Sequence, residues 1–288
     1  MNPIEPKLIR GVQELQAWSD QARCDGRRVA LVPTMGALHE GHLSLVRLAR
    51  EHGDRVVVSI FVNPTQFGVG EDLAKYPHDL TGDLAKLRAL GVDVVFAPAA
   101  DEMYPPGVAP AWVEVEHLTR GLCGRSRPGH FRGVTSVVAR LFNAARPHVA
   151  IFGQKDYQQL RVISALSRAL LFGVEIVAGP TVREPDGLAM SSRNAFLGAE
   201  ARQQALSLNA ALREVRRLHR EGEREAAYLI EVARGRIEKE ELAEIQYIEL
   251  CDADTLEPLE RIEGPAVMAL AVFFEGTRLI DNTLLEAE

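Results

Sequence analysis

The sequence has 288 residues, of which 33 are basic and 40 acidic, for a net charge of −7, and 47% are hydrophobic. That length suits one large globular domain or two unequal ones, and it excludes a small scaffold that depends on disulfides. The acidic balance supplies no broad basic face, so neither nucleic acid nor anionic lipid is expected as a partner.

Cys24, Cys123 and Cys251 lie far apart without a CxxC pair, which suggests reduced structural thiols rather than a zinc site or disulfide framework. The N-terminal stretch is interrupted by charges, and no apolar run is long enough for a signal peptide or a membrane span. A soluble, cytoplasmic protein is the expectation.

In chain order, residues 29–32, 56–62, 92–97, 149–152 and 174–178 are short β-branched, mostly continuous apolar runs. Continuous runs are the pattern of strands covered by helices on both faces. Between them fall amphipathic stretches: Leu45, Leu48 and Ala49; Leu80, Leu84 and Leu87; Val134, Val138, Leu141 and Phe142. This alternation predicts an α/β fold with a doubly wound parallel sheet and ligands at the carboxyl ends of its strands. The composition changes after Asn194. Residues 199–241 read as two helices broken near Glu221-Gly222-Glu223, followed by strands at 245–250, 266–274 and 277–280 with Glu275-Gly276 as a tight turn. That predicts a smaller α+β domain with an antiparallel sheet. The expected domains are residues 1–181 and 182–288.

Five segments carry candidate chemistry. Val32-Pro33-Thr34-Met35-Gly36-Ala37-Leu38-His39-Glu40-Gly41-His42 follows the first apolar run and opens the first amphipathic helix. His39 and His42 share a face of the first helical turn with free backbone N–H groups that favour phosphate. Gly36 and Gly41 let a base or sugar approach the backbone. A plain strand-to-helix turn with two exposed histidines is the competing view, and the position after the first sheet strand favours function.

Ile151-Phe152-Gly153-Gln154-Lys155-Asp156-Tyr157-Gln158-Gln159 follows another apolar run. Lys155 there can reach a triphosphate and Asp156 can orient it or approach a hydrated metal ion; a solvated helix start reads equally well. Phe61-Val62-Asn63-Pro64-Thr65-Gln66-Phe67 places amides beside aromatic rings, which suits a small polar acid, although a turn with incidental amides is the simpler reading. Residues 186–194 include Met190, Ser191, Ser192, Arg193 and Asn194, a composition suited to a loop closing on phosphate oxygens or to a solvated linker. Gly124-Arg125-Ser126-Arg127-Pro128-Gly129-His130-Phe131-Arg132-Gly133 is locally basic; its Gly and Pro predict a loop, either an anion gate or ordinary surface.

Taken together and in this order, these segments resemble the pantothenate synthetase (pantoate–beta-alanine ligase) family of the nucleotidyltransferase superfamily, with its HIGH-like and KMSKS-like signatures. The resemblance runs from about Val32 to Asn194. It implies a Rossmann-like ATP-binding domain, a smaller C-terminal lid, magnesium (Mg2+) dependence, a cytoplasmic homodimer, and condensation of pantoate with beta-alanine as ATP becomes AMP and pyrophosphate. A pantoyl adenylate is the implied intermediate.

Carried onto this sequence, the resemblance places ATP along Met35, Gly36, Ala37, Leu38, His39, Glu40, Gly41 and His42. His39 and His42 meet the phosphates there, and His42 donates a proton. Gly153, Gln154, Lys155 and Asp156 form the second ATP segment. Val182 contacts base or ribose, and Met190, Ser191, Ser192 and Arg193 form the closing loop. His42, His39, Lys155 and Arg193 are the implied catalytic set. Gln66 and Gln159 hold pantoate, Gln66 also meets beta-alanine, and Asn63 is a further acid contact. Gln154 stands where the family's Gly-Glu-Lys-Asp segment has glutamate. The Asp-rich stretch associated with magnesium is reduced to Asp79 and Asp83, so no protein ligand of the metal is assigned.

Three other functions fit parts of this pattern. An aminoacyl-tRNA synthetase-like enzyme would need a tRNA-binding surface, which the net charge and the acidic run 238–244 do not offer. A nucleotidyltransferase would need no amine. A non-catalytic nucleotide-binding module would have no use for retaining His39, His42, Lys155 and Arg193 together.

Overall fold

The computed structural model describes residues 5–68 and 72–286. Its elements are, in order, Lys7–Ile9 (β1), Val12–Cys24 (α1), Val29–Thr34 (β2), Glu40–His52 (α2), Arg55–Ile60 (β3), Leu80–Ala89 (α3), Val94–Phe96 (β4), Ala100–Met103 (α4), Leu122–Ser126 (α5) and His130–Ala145 (α6). There follow Val149–Gly153 (β5), Tyr157–Ala169 (α7), Glu175–Gly179 (β6), Ala199–Arg220 (α8), Ala226–Ile237 (α9), Ala243–Asp252 (β7), Ala266–Phe274 (β8) and Thr277–Leu285 (β9). Short 3-10 turns at Pro64–Gln66, Gln154–Asp156 and Ser192–Phe196 matter for the site.

β1 to β6 form one parallel sheet in the order β1-β4-β3-β2-β5-β6. The chain runs outward from β2 through β3 to β4, then restarts at β5 on the other side of β2. This leaves a topological switch point between β2 and β5, where open α/β sheets bind ligands at their carboxyl ends. The continuous apolar runs have the expected cause: Val29, Ala30, Leu31 and Val32 of β2 have no exposed surface. On one face, Leu45, Val46 and Ala49 of α2 pack with Val58, Leu87 and Ile151. The short strand β1 escapes sequence reading because Lys7-Leu8-Ile9 is too brief to show a period.

A second core gathers Leu208, Leu212 and Val215 of α8, Leu229 and Ala233 of α9, and Met268, Leu270 and Val272 of β8. The helices break between Arg220 and Ala226, and β7-β8-β9 is antiparallel. Glu275 and Gly276 both have positive φ, 48° and 78°, as a two-residue hairpin turn demands. The predicted α/β sheet with a smaller antiparallel α+β part is thus the observed architecture. The chain divides into two compact units: residues 1–115, 127–154 and 162–180, and residues 116–126, 155–161 and 181–288.

Candidate active site

The first unit presents the histidine segment at the carboxyl end of β2. Thr34 is buried, and its hydroxyl donates to Ser59 O (2.7 Å) while accepting from the Gly36 N–H (3.2 Å). Gly36 (φ 86°) and Ala37 (φ 50°) then both turn left-handed. A side chain at Gly36 would also meet Ile60 Cγ2 at 3.0 Å and Asp83 Oδ2 at 3.2 Å. This tight turn delivers His39 as the N-cap of α2, with His42 in its first turn. The His39 N–H donates to His42 Nδ1 (3.3 Å), and the two rings lie 4.1 Å apart. Because Nδ1 accepts, the neutral His42 ring carries its proton on Nε2. Glu40 is exposed and pairs with Arg47.

The neighbouring strand β3 leads to Asn63 and Gln66. Asn63 is 1% exposed, and its side chain is committed inside the protein. Nδ2 donates to Gln66 Oε1 and to Gly133 O, both at 3.1 Å. Oδ1 accepts from Thr65 Oγ1 (2.9 Å) and Tyr104 OH (2.7 Å). Burial raises the Tyr104 pKa, against hydrogen bonding to Thr65 and the charge of Arg140, so the phenol stays a donor. Asn63 thereby orients Gln66. The Gln66 Nε2 donates to Met35 Sδ (3.2 Å), and a thioether is a weak acceptor that a carboxylate or hydroxyl readily replaces.

The basic segment departs from the predicted loop: its first part lies in α5 and α6 begins at His130, so only residues 127–129 lie outside helix. α6 starts so close to the amide segment that a Cβ on Gly133 would sit 2.3 Å from Thr65 O. Contacts of this kind are invisible to a composition-based reading. Arg127 Nη1 lies 3.0 Å from His130 Nε2 and His130 Nδ1 lies 2.8 Å from Gln66 O. A guanidinium only donates, so Nε2 accepts and Nδ1–H donates to Gln66 O. Tyr104, Arg127 and His130 thus join the amide cluster although none entered the predicted site set: Arg127 and His130 lie in the basic segment without an assigned role, and Tyr104 is revealed only by its contacts. The adjacency of β5 to β2 sets Gly153 and Gln154 at the same sheet edge as the histidine segment.

The second unit holds Lys155, Asp156 and Gln159 together with the segment from Val182 to Arg193. Two consecutive residues of β9 anchor both stretches. Asn282 Nδ2 donates to Lys155 O (2.8 Å), and Asp281, 3% exposed, receives a bidentate pair from Arg183 at 2.7 and 2.9 Å. Met190 N–H donates to Val182 O (3.0 Å), closing a turn through Asp186 and Gly187. Ser191 Oγ accepts from the Arg193 N–H (3.3 Å) and so caps the 3-10 turn that carries Ser192 and Arg193. Asn194 Nδ2 donates to Glu184 Oε1 (2.8 Å). Asp156 is exposed, and Gln159 is half-buried beside Gln158, whose amide holds Cys123 N, Leu118 O and Gly121 O.

Among the described residues, no three His, Cys, Asp or Glu side chains converge as a metal cage. Asp79 accepts from the Gly82 N–H and Asp83 from the Leu38 N–H. The described residues thus form no all-protein cage for magnesium.

The family model described as pantoate-beta-alanine ligase matches residues 7–284. A pantothenate synthetase of Syntrophotalea carbinolica is 53% identical over 98% of this chain and 99% of its own. The crystal structure of pantothenate synthetase from Thermus thermophilus superposes with a TM-score of 0.92 at 43% identity, covering 98% of this chain and 100% of that one. The pantoate-beta-alanine ligase of Francisella tularensis, complexed with beta-gamma ATP and beta-alanine, gives 0.80 at 32% identity over 98% and 99%. The chain belongs to the pantoate-beta-alanine ligase family.

Proposed function

We propose that the chain condenses pantoate with beta-alanine to give pantothenate, AMP and pyrophosphate from ATP. The observation that carries this reading is the hydrogen-bonded run from Met35 through Gln66 and Asn63 to Gly133. It sets an acid-binding amide beside the turn that delivers two histidines to a helix N-terminus. The Francisella tularensis relative, bound to an ATP analogue and beta-alanine, supports the same substrates here.

In the proposed first step, a pantoate carboxylate oxygen attacks the α-phosphorus of ATP and the bond to pyrophosphate breaks, leaving a pantoyl adenylate. In the second, the beta-alanine amine attacks the acyl carbon, AMP leaves, and the amine loses a proton. No covalent bond to the protein is required, so the residues work by positioning and by balancing charge. The proposed nucleotide contacts are the turn of Met35, Gly36, Ala37 and Leu38 with the start of α2, together with Gly153, Gln154 and Asp156. His42 donates from Nε2, and His39, Lys155 and Arg193 offset charge on the phosphates. Val182, Met190, Ser191 and Ser192 complete the nucleotide set. Gln66 and Gln159 hold the acids, and Asn63 serves that set by orienting Gln66.

Magnesium is proposed to arrive with the triphosphate, as is usual for a cation that keeps its water and binds phosphate oxygens. The functional division proposed is between residues 1–181 and 182–288. No helix among the described residues is long and apolar enough to cross a membrane; a cytoplasmic location and a homodimer are further parts of the proposal. The test is product analysis by mass spectrometry with ATP, magnesium and both acids. Pantothenate and AMP should appear in equal amounts and vanish when either acid is omitted; AMP-linked product without an amine requirement would favour a nucleotidyltransferase.

A further inference from the structure

Leu38, the residue before His39, is held by side chains from a helix more than forty positions away. Asp83 Oδ1 accepts from the Leu38 N–H at 2.7 Å, and Lys86 Nζ donates to the Leu38 carbonyl at 2.7 Å. The two side chains stand one turn apart on α3, with Lys86 Nζ 3.8 Å from Asp83 Oδ1. Both peptide groups flanking Leu38 are therefore fixed by one rigid element.

What they fix needs support. Gly36 and Ala37 are consecutive left-handed residues, and such a conformation is strained for a non-glycine residue. It persists only where surroundings over-determine it. The turn also sets the direction of the His39 N–H, which donates to His42 Nδ1. Asp83 itself is an expensive group to keep in place. Its side chain is 1% exposed, so the carboxylate is held almost wholly out of water. It faces a cavity of about 290 Å³ lined also by Met35, Gly36, Ala37 and His78. Burying a carboxylate destabilises a fold unless its partners offset the lost hydration, so packing alone gives no reason for aspartate here.

We infer that Asp83 and Lys86 are positioning residues, a two-point clamp on Leu38 that fixes the His39 and His42 rings for adenylate formation. The inference rests on the function proposed above for its kinetic consequence, but the clamp itself can be observed without catalysis.

The test compares Asp83→Ala, Asp83→Asn and Lys86→Met in the full chain. Asparagine keeps an oxygen that accepts from the Leu38 N–H; alanine does not. Hydrogen exchange at the Leu38 amide should quicken at least about tenfold in Asp83→Ala and stay near the wild-type rate in Asp83→Asn. Pyrophosphate formation in a single turnover should fall by about 10²-fold in Asp83→Ala, the scale of a 1 Å misplacement. It should fall only a few-fold in Asp83→Asn, with KM for ATP within twofold in both. If Asp83→Ala fails to fold, Lys86→Met decides: its side chain is 41% exposed, so it should melt as wild type does while forming pyrophosphate several-fold more slowly. Unchanged Leu38 exchange, an asparagine variant as slow as alanine, or Lys86→Met at wild-type speed would overturn the inference. A wild-type protein that forms no pyrophosphate from pantoate and ATP would instead refute the proposed function, and the exchange measurement would still decide the clamp.

Discussion

The amides of Asn63 and Gln66 sit side by side and do different work. Asn63 makes hydrogen bonds through both ends of its amide within the protein, whereas Gln66 gives its donor to a thioether. Gln66→Ala should therefore raise KM for pantoate and beta-alanine by about tenfold or more and leave the melting temperature nearly unchanged. Asn63→Ala should cost stability as well, about 1–3 kcal/mol for the buried partners it strands, measurable by urea unfolding. Replacing His42, Lys155 or Arg193 with alanine should slow pyrophosphate release by about 10²–10³-fold with much smaller changes in pantoate affinity; equal losses in both would point to a general binding role. Asp83 adds a pH signature. Burial raises its pKa, opposed by the Leu38 N–H, Lys86 and the Ala37 N–H and assisted by Asp79. A raised folded pKa means that this group's contribution is complete below its unfolded pKa of about 3.9 and is lost as pH rises through the folded value. The melting temperature of Asp83→Asn relative to wild type should thus climb from pH 4 toward pH 8. A difference greatest in acid would contradict the assignment.

At the scale of elements, apolar patterning is enough to read the parallel strands β2 to β6, the break between α8 and α9, and the β8–β9 turn, because each is enforced locally by burial or by backbone conformation. Contacts between distant elements are not legible in this way. Nothing in the spacing of Asp83 and Lys86 points to Leu38, and nothing in the Arg-Pro-Gly composition shows that α6 starts at His130. The motif segments announce Met35, His39, His42, Gln66 and Lys155, and the basic segment includes His130, but Tyr104, Asp281 and Asn282 make their contacts from outside any motif. Two consequences belong here. Gly133→Ala would drive a methyl group to within 2.3 Å of Thr65 O, so it should lower the melting temperature and raise KM for pantoate through Gln66. Asp281→Asn should loosen the Arg183 pair and weaken ATP binding more than pantoate binding, since β9 anchors the Lys155 and Val182–Met190 stretches. Equal losses for both ligands would contradict that anchoring role.

For the whole molecule, a net charge of −7 does not conflict with the proposed chemistry, because a site depends on where a few cations stand and not on overall composition. Its thiols follow the same logic of place. Cys24 is exposed and Cys123 and Cys251 are buried, and burial pushes the Cys251 thiol up to about 12. A maleimide at pH 8 should label Cys24 first, and all three only after unfolding; rapid labelling of Cys251 in the folded protein would contradict its burial in β7. The central claim is that one acid is activated on the phosphate of ATP before the amine enters. It is tested most directly by mixing enzyme in excess over ATP with magnesium and pantoate and no beta-alanine, then quenching. One equivalent of pyrophosphate and an enzyme-bound pantoyl adenylate should form, and added beta-alanine should convert that adenylate to pantothenate and free AMP. Pyrophosphate that appears only once beta-alanine is present, with no adenylate trapped, would contradict the account.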